Sequence, residues 1–451
     1  MFLRTKFLLF TVIFLIHFSA KTQQLDSLSA LFGPVPEFTY NFCLKSVSFG
    51  GVPHINYINI IQDGTQNDFY LAPHFELQSS TCNFKTLGNK FISKPVAYVS
   101  GTNIMVKAEF LTDCPNPIYV KAIAESKYLF RSIQLMPSNG KITYEDNGAF
   151  VPCNMVLDVG IVKYYPSFKI KWYFSYDNNK FSEIGTSDNE LFVTHDVPIE
   201  NAYHHTIFYT SCKAAADNNS EVLIKESITN KINTKAVERR DGNIMTYWNS
   251  LASSCYTAWQ LIKFYDGRCE AWADFHKGCF EVQSFQTELV EVTAPQEDFT
   301  KIIPNVKSKG QNTLVGVTVY DHAPIEFSVK NWSSGFSVQL GQFDMRELES
   351  KKDFDIGGAG GIKGQGTLSK EIRSIFDNHA IIKNSSQYYD PSYGFGPFKD
   401  EAKYEDSGIH AIQAVFYYDT RDDNTGMLLN PPMWYVFFNT LNNDDKQLNY
   451  K

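Results

Sequence analysis

The sequence predicts two regions of different class: an all-β sandwich region first, then an α+β domain. Three observations carry this. Short apolar and aromatic runs recur between Asn, Asp, Gly, Ser and Pro turns across residues 25–235, as strands of a β-sandwich do. Phe and Tyr, with 36 and 25 copies, far outnumber Met and Trp, with 8 and 6, and aromatic side chains favour strand positions. Beyond residue 235 the apolar residues fall into steps of three and four before strands return, the order of an α+β domain. At 451 residues the chain has room for two or three domains.

The first segment, 1–22, reads as a secretory signal peptide. Arg4 and Lys6 precede an apolar run from Phe7 to Ile16, and the small residues Ser19 and Ala20 follow. The run is short for a bilayer span, which needs about 20 residues; an uncleaved anchor is the alternative. The expectation is a secreted, periplasmic or cell-surface protein with no transmembrane segment after signal removal. The net charge of −8 argues against nucleic acid as the main partner, because phosphate binding needs a basic footprint.

Strands of an Ig-like sandwich, in one or two domains, are expected next. Phe168 to Tyr176 alternates and then turns aromatic, Asp177 to Lys180 makes a turn, and Glu190 to Thr194 is another short strand. A weak boundary near residue 95 would divide two sandwiches. Eight cysteines are present, and export makes disulfides feasible. Cys43–Cys82 and Cys114–Cys153 are candidate pairs, but spacing does not fix connectivity. No CxxC pair and no HExxH occurs, so the expectation is no metal and no cofactor.

A polar joint, Glu238 to Asn243, opens the second region, 236–451. Met245, Trp248, Leu251, Ala252, Cys255, Ala258, Trp259 and Ile262 predict a helix over 245–264. After Gly267 a second helix is expected, with Ala271, Trp272, Phe275 and Cys279 on one face. Strands follow over Asn312 to Tyr320 and Glu326 to Val329. The glycine-rich stretch 357–367 lacks the GK[ST] ending of a phosphate loop and is read as a mobile flap.

Three residues then stand in the order of a thiol acyl-transfer enzyme. Cys269 falls at a helix start, where unpaired N–H groups and the helix dipole favour a thiolate. His379 opens the strand-like run Ala380-Ile381-Ile382, and Tyr388-Tyr389-Asp390 begins the return strand after the turn Asn384-Ser385-Ser386-Gln387. With the turn centred between Ser385 and Ser386, Ile381 faces Asp390 and His379 faces Ser392. His379 and Asp390 then share a sheet face diagonally, and a one-residue slip would separate them. An aspartate so placed orients an imidazole. His322 and His410 are rivals to His379. His276 lies two turns from Cys269 on its helix and is not expected to touch the thiol.

Gly267-Arg268-Cys269-Glu270-Ala271-Trp272-Ala273, Asn378-His379-Ala380 and Tyr389-Asp390-Pro391-Ser392-Tyr393-Gly394 together resemble the transglutaminase-like superfamily. The likeness is narrowest to its secreted bacterial members that follow β-sandwich domains and carry a glycine-rich segment before the histidine, as in Gly364-Gln365-Gly366. It covers roughly 240–400. The resemblance implies a papain-like α+β domain with Cys269 as nucleophile, His379 as base and acid, and Asp390 as the orienting group. An oxyanion stabiliser is implied upstream, with Trp259 and Gln260 as candidates. The Cys269-to-His379 spacing exceeds that of the compact family core, which implies an insertion around 285–370. The implied activity is attack on an amide or peptide carbonyl of a protein or peptide substrate, giving a thioester that water or an amine resolves: a cysteine protease, an amidase or a cross-linker. A binding or adhesion protein with an inactive domain of this type is the alternative. A papain-like protease is a third reading, although such enzymes usually end the triad with Asn.

Overall fold

The computed structural model describes residues 40–50, 57–77, 91–249, 255–293, 317–329, 364–366, 375–376, 378–420, 433–440 and 448–451. The signal-like segment 1–22 and Cys82 lie outside them. Among the described residues no helix is long and apolar enough to cross a membrane.

The first half is strongly β. Asn103–Thr112 and Ile118–Ala124 alternate buried and half-buried along their whole length, because successive strand side chains point to opposite faces. The first sends Ile104, Val106, Ala108 and Phe110 inward, and the second sends Ile118, Val120 and Ala122. These meet Phe168, Ile170 and Trp172 from the strand Lys163–Ser175 in one apolar core. Trp172 sits edge-on between Phe110 and Tyr144, with ring centroids 5.4 and 5.3 Å away. Twelve strands join along one hydrogen-bonded path, a thirteenth, Lys141–Tyr144, pairs beside it with Asn103–Thr112, and a single cluster fills the space between their faces. The expected boundary near residue 95 is therefore not a division: Val96–Val99 pairs with Ser182–Thr194 and with Tyr57–Ile61 inside that path.

Two cysteine expectations are settled in part. Cys43 is disulfide-bonded. Cys114 and Cys153 are both free, buried thiols, so the proposed bridge between them is absent.

The strand pattern does not run to residue 235 as expected. It stops at Ala202–His204, and the helices His205–Ala214 and Glu221–Asn233 follow. Ile224, Ile228 and Ile232 recur every four residues and face a second core with Ile207, Phe208 and Cys212. The expected helix over 245–264 is also shorter. Thr246–Tyr247 pairs in parallel with Asp266–Gly267, and among the described residues of that span only Ala258–Phe264 is helical, opened by a Thr257–Gln260 capping box.

The helix Cys269–Glu281 is where the sequence places it. It packs on the antiparallel sheet that runs Phe395–Phe398, Gln387–Asp390, Asn378–Asn384, Glu288–Thr293, Asn449–Tyr450. The long connection between cysteine and histidine contains the strand Val317–Val329, which merges the two strands expected over 312–329. It joins Ile375–Phe376, Ile409–Thr420 and Met433–Thr440 in a separate four-stranded sheet.

Candidate functional site

Gly267 brings the chain into the cysteine helix. A Cβ there would lie 2.9 Å from Ala271 Cβ and 3.2 Å from a Leu261 methyl, so a larger residue would push the two helices apart. Asp266 fixes the approach. Its buried carboxylate accepts from Thr246 Oγ1 at 2.9 Å and from the Asn249 N–H at 2.9 Å. Asp274 joins the helices by accepting the Ala258 N–H at 2.8 Å. Cys269 follows as the first helical residue, 3% exposed, where the backbone N–H has no intrahelical partner.

The hairpin carrying the other two residues has the register the sequence requires. Ile382 pairs with Tyr389, Lys383 with Tyr388 and Asn384 with Gln387. His379 and Asp390 share a face, and Asp390 Oδ2 lies 2.9 Å from His379 Nε2. Tyr404 donates to the same oxygen at 3.3 Å. An ionised carboxylate only accepts, so this contact puts a proton on Nε2. Burial alone would lower the His379 pKa. The charge and hydrogen bond of Asp390 outweigh it, and hydrogen bonding and charge from Cys269 add to them, so the imidazolium is held well above its ordinary range. Asp390 and His379 thus form one hydrogen-bonded pair, and the Cys269 thiol lies close enough to act on the imidazole. The Cys269 thiol also meets Glu270 Oε2 at 3.1 Å.

The suggested oxyanion groups fare differently. Gln260 Oε1 accepts the N–H groups of Tyr256 and Thr257 at 2.7 and 3.2 Å, closing the start of its own helix. Trp259 Nε1 is buried without a protein acceptor, and Lys263 lies over its ring at 5.0 Å. No hydrogen bond joins either residue to Cys269 among the described residues. A further buried hydroxyl near the cysteine, absent from the sequence expectations, is that of Tyr247. Its hydroxyl is buried and bonded to no protein acceptor. Burial first, then Tyr393 and the charge of Cys269, raise its pKa far above normal, so it stays a phenol. Tyr393 meets Tyr247 edge-to-face and His379 at a tilt, with centroids 5.4 and 5.7 Å away. The only early sign was aromatic: Tyr247 and Trp248 beside a predicted site.

Gln365 was also missed. It is fully buried, and its Nε2 donates to Ile232 O and Pro391 O, both at 2.8 Å. Gly366, at φ +67°, lies so close to Met245 that a Cβ would fall 2.5 Å from its carbonyl oxygen. Residues 364–366 therefore tie the joint near residue 235 to the Asp390 loop and are no flap; 357–363 and 367 lie outside the described residues. His276 is buried beside Phe280 and Tyr389, away from the thiol contacts. Burial lowers it to about 3. The side chains of His322 and His410 lie outside the description. No family model matches the chain, and no curated protein matches it.

Proposed function

We propose that the chain is an exported, transglutaminase-like thiol enzyme acting on amide or peptide carbonyls. The observation that carries the reading is the buried Asp390–His379 hydrogen bond, with Cys269, the first residue of its helix, close enough to act on the imidazole. The basic-then-apolar opening of the sequence supports export.

In this reading Cys269 gives its proton to His379 Nδ1, and the resulting thiolate attacks the carbonyl carbon. The oxyanion meets the backbone N–H of Cys269 and the Tyr247 hydroxyl. His379 then protonates the departing amine as the C–N bond breaks, leaving a thioester on Cys269. Water or a second amine, deprotonated by His379, attacks the thioester and releases the thiol. Asp390 keeps the imidazolium stable and correctly turned, and Tyr404 holds Asp390.

The rival reading, an inert domain serving adhesion, has one observation in its favour. Cys269 is almost wholly covered and its thiol contacts the Glu270 carboxylate. Alkylation by iodoacetamide, mapped to Cys269 by peptide mass, separates the two. The enzyme reading expects alkylation at pH 6 to be at least about tenfold faster in wild type than in His379→Ala. Equal rates would hand the case to the inert domain.

A further inference from the structure

Arg268 immediately precedes the candidate nucleophile and has no ionic partner among the described residues. Among the described arginines, Arg131 pairs with Asp146, Arg239 with Asp241 and Arg240 with Glu190. Arg268 instead lies between two aromatic rings, 4.9 Å from the centroids of both Trp248 and Tyr256. Its Nε is buried with no acceptor. The clamp is built from several directions. The Arg268 N–H donates to Cys255 O at 3.1 Å, and the Trp248 N–H donates to Gly267 O at 3.1 Å. Trp248 holds a left-handed backbone, φ +53°, which costs a non-glycine residue energy and tends to persist where the local structure demands it. A guanidinium fixed between rings keeps its planar donors pre-oriented, and its natural complement is a carboxylate bound through two parallel hydrogen bonds.

We propose that Arg268 is an anion-recognition side chain, and that the acyl substrate of Cys269 carries a carboxylate close to the amide under attack. This rests on the thiol-enzyme reading and narrows it to acidic or free-carboxylate peptides and amides. The background field runs against such a ligand. The chain is net negative, and Glu270 lies against the thiol. A preference for anions at Cys269 therefore requires a local cation.

Two alkylating reagents differing only in that charge provide the test: N-iodoacetylglycine and N-iodoacetylglycinamide. With each, the thiolate sulfur forms a bond to the methylene carbon and iodide leaves, so no enzymatic turnover is involved. At low ionic strength the carboxylate reagent should label Cys269 about tenfold faster than the amide, the scale of one charge-assisted contact. The ratio should fall toward one as salt is added. It should drop to one or below in Arg268→Gln and be partly kept in Arg268→Lys. A wild-type ratio at or below one overturns the proposal, as does a ratio unchanged in Arg268→Gln. If Arg268→Gln does not fold, the wild-type ratio and its salt dependence decide alone. The neutral reagent compared between wild type and His379→Ala reports separately on the thiol, so the anchor can fail while the thiol reading stands.

Discussion

The two cores of this protein handle polarity in opposite ways. In the sandwich, most buried polar groups are tied to backbone: Tyr98 donates to Gly50 O at 2.8 Å and Tyr144 to Arg131 O at 2.6 Å, with Asn189 Oδ1 the exception. The second core holds a buried carboxylate and imidazole, the unbonded Tyr247 hydroxyl, and His276 with both ring nitrogens unbonded. Buried polar atoms without partners cost stability. The first region spends its residues on being rigid, whereas the second keeps groups that only chemistry or a ligand would use. Those that Cys269 acts on, Tyr247 and the His379–Asp390 pair, are the physical argument for a site; His276 is orphaned away from it.

The comparison breaks most sharply at the thiol. Cys269→Ala should lower amide cleavage or amine incorporation by about 10⁴-fold while leaving the thermal transition nearly unchanged; retained activity in that variant would sink the enzyme reading. Asp390→Ala comes next. Stranding a buried imidazolium should cost about 3–5 kcal/mol in denaturant unfolding. Trp172→Ala should cost a similar amount, about 3–5 kcal/mol, yet leave Cys269 alkylation per folded molecule unaltered. Loss of thiol reactivity in that sandwich variant would erase the distinction between the cores.

Acidity sharpens the contrast further. His379 is raised in the folded state, so its stabilisation is complete below the unfolded value of about 6.5 and lost as pH rises through the folded value. The alkaline limb of any activity should move toward neutral in Asp390→Asn. His276 is lowered, so the unfolded chain takes its proton first and stability falls as pH drops below about 6.5. His276→Leu should flatten that acid limb in pH-dependent melting. The smallest expected effect belongs to Glu270→Gln: removing the charge beside the thiol should speed neutral alkylation about threefold.

Much of the site was legible because its signals are local. Gly267 before an amphipathic run marks a helix start, and Asn384-Ser385-Ser386-Gln387 fixes one hairpin register, which decides the face shared by His379 and Asp390. The helices over 205–233 were hidden among apolar residues read as strands, although the four-residue spacing of Ile224, Ile228 and Ile232 was available. Met245 and Trp248 were assigned to a helix by spacing alone, yet Thr246–Tyr247 is held in strand form by Asp266–Gly267, twenty residues away. Tyr247, Gln365 and the clamp on Arg268 depend on such distant neighbours. No local pattern announces them.

The strand Ser182–Thr194 has a consequence for how this chain could be divided. Leu191 and Val193 belong to the sandwich core, while Phe192 between them belongs to the other. Ile58, Ile60, Ala97 and Val99 likewise face away from the sandwich into the second core. The two halves share a party wall. A gene fragment cut at residue 235 would carry the helices 205–233 away from the partners they cover, and one cut at 204 would bare the aromatic side of the wall to water. Neither half is a cassette for recombination, and heat should melt the pair as one cooperative unit.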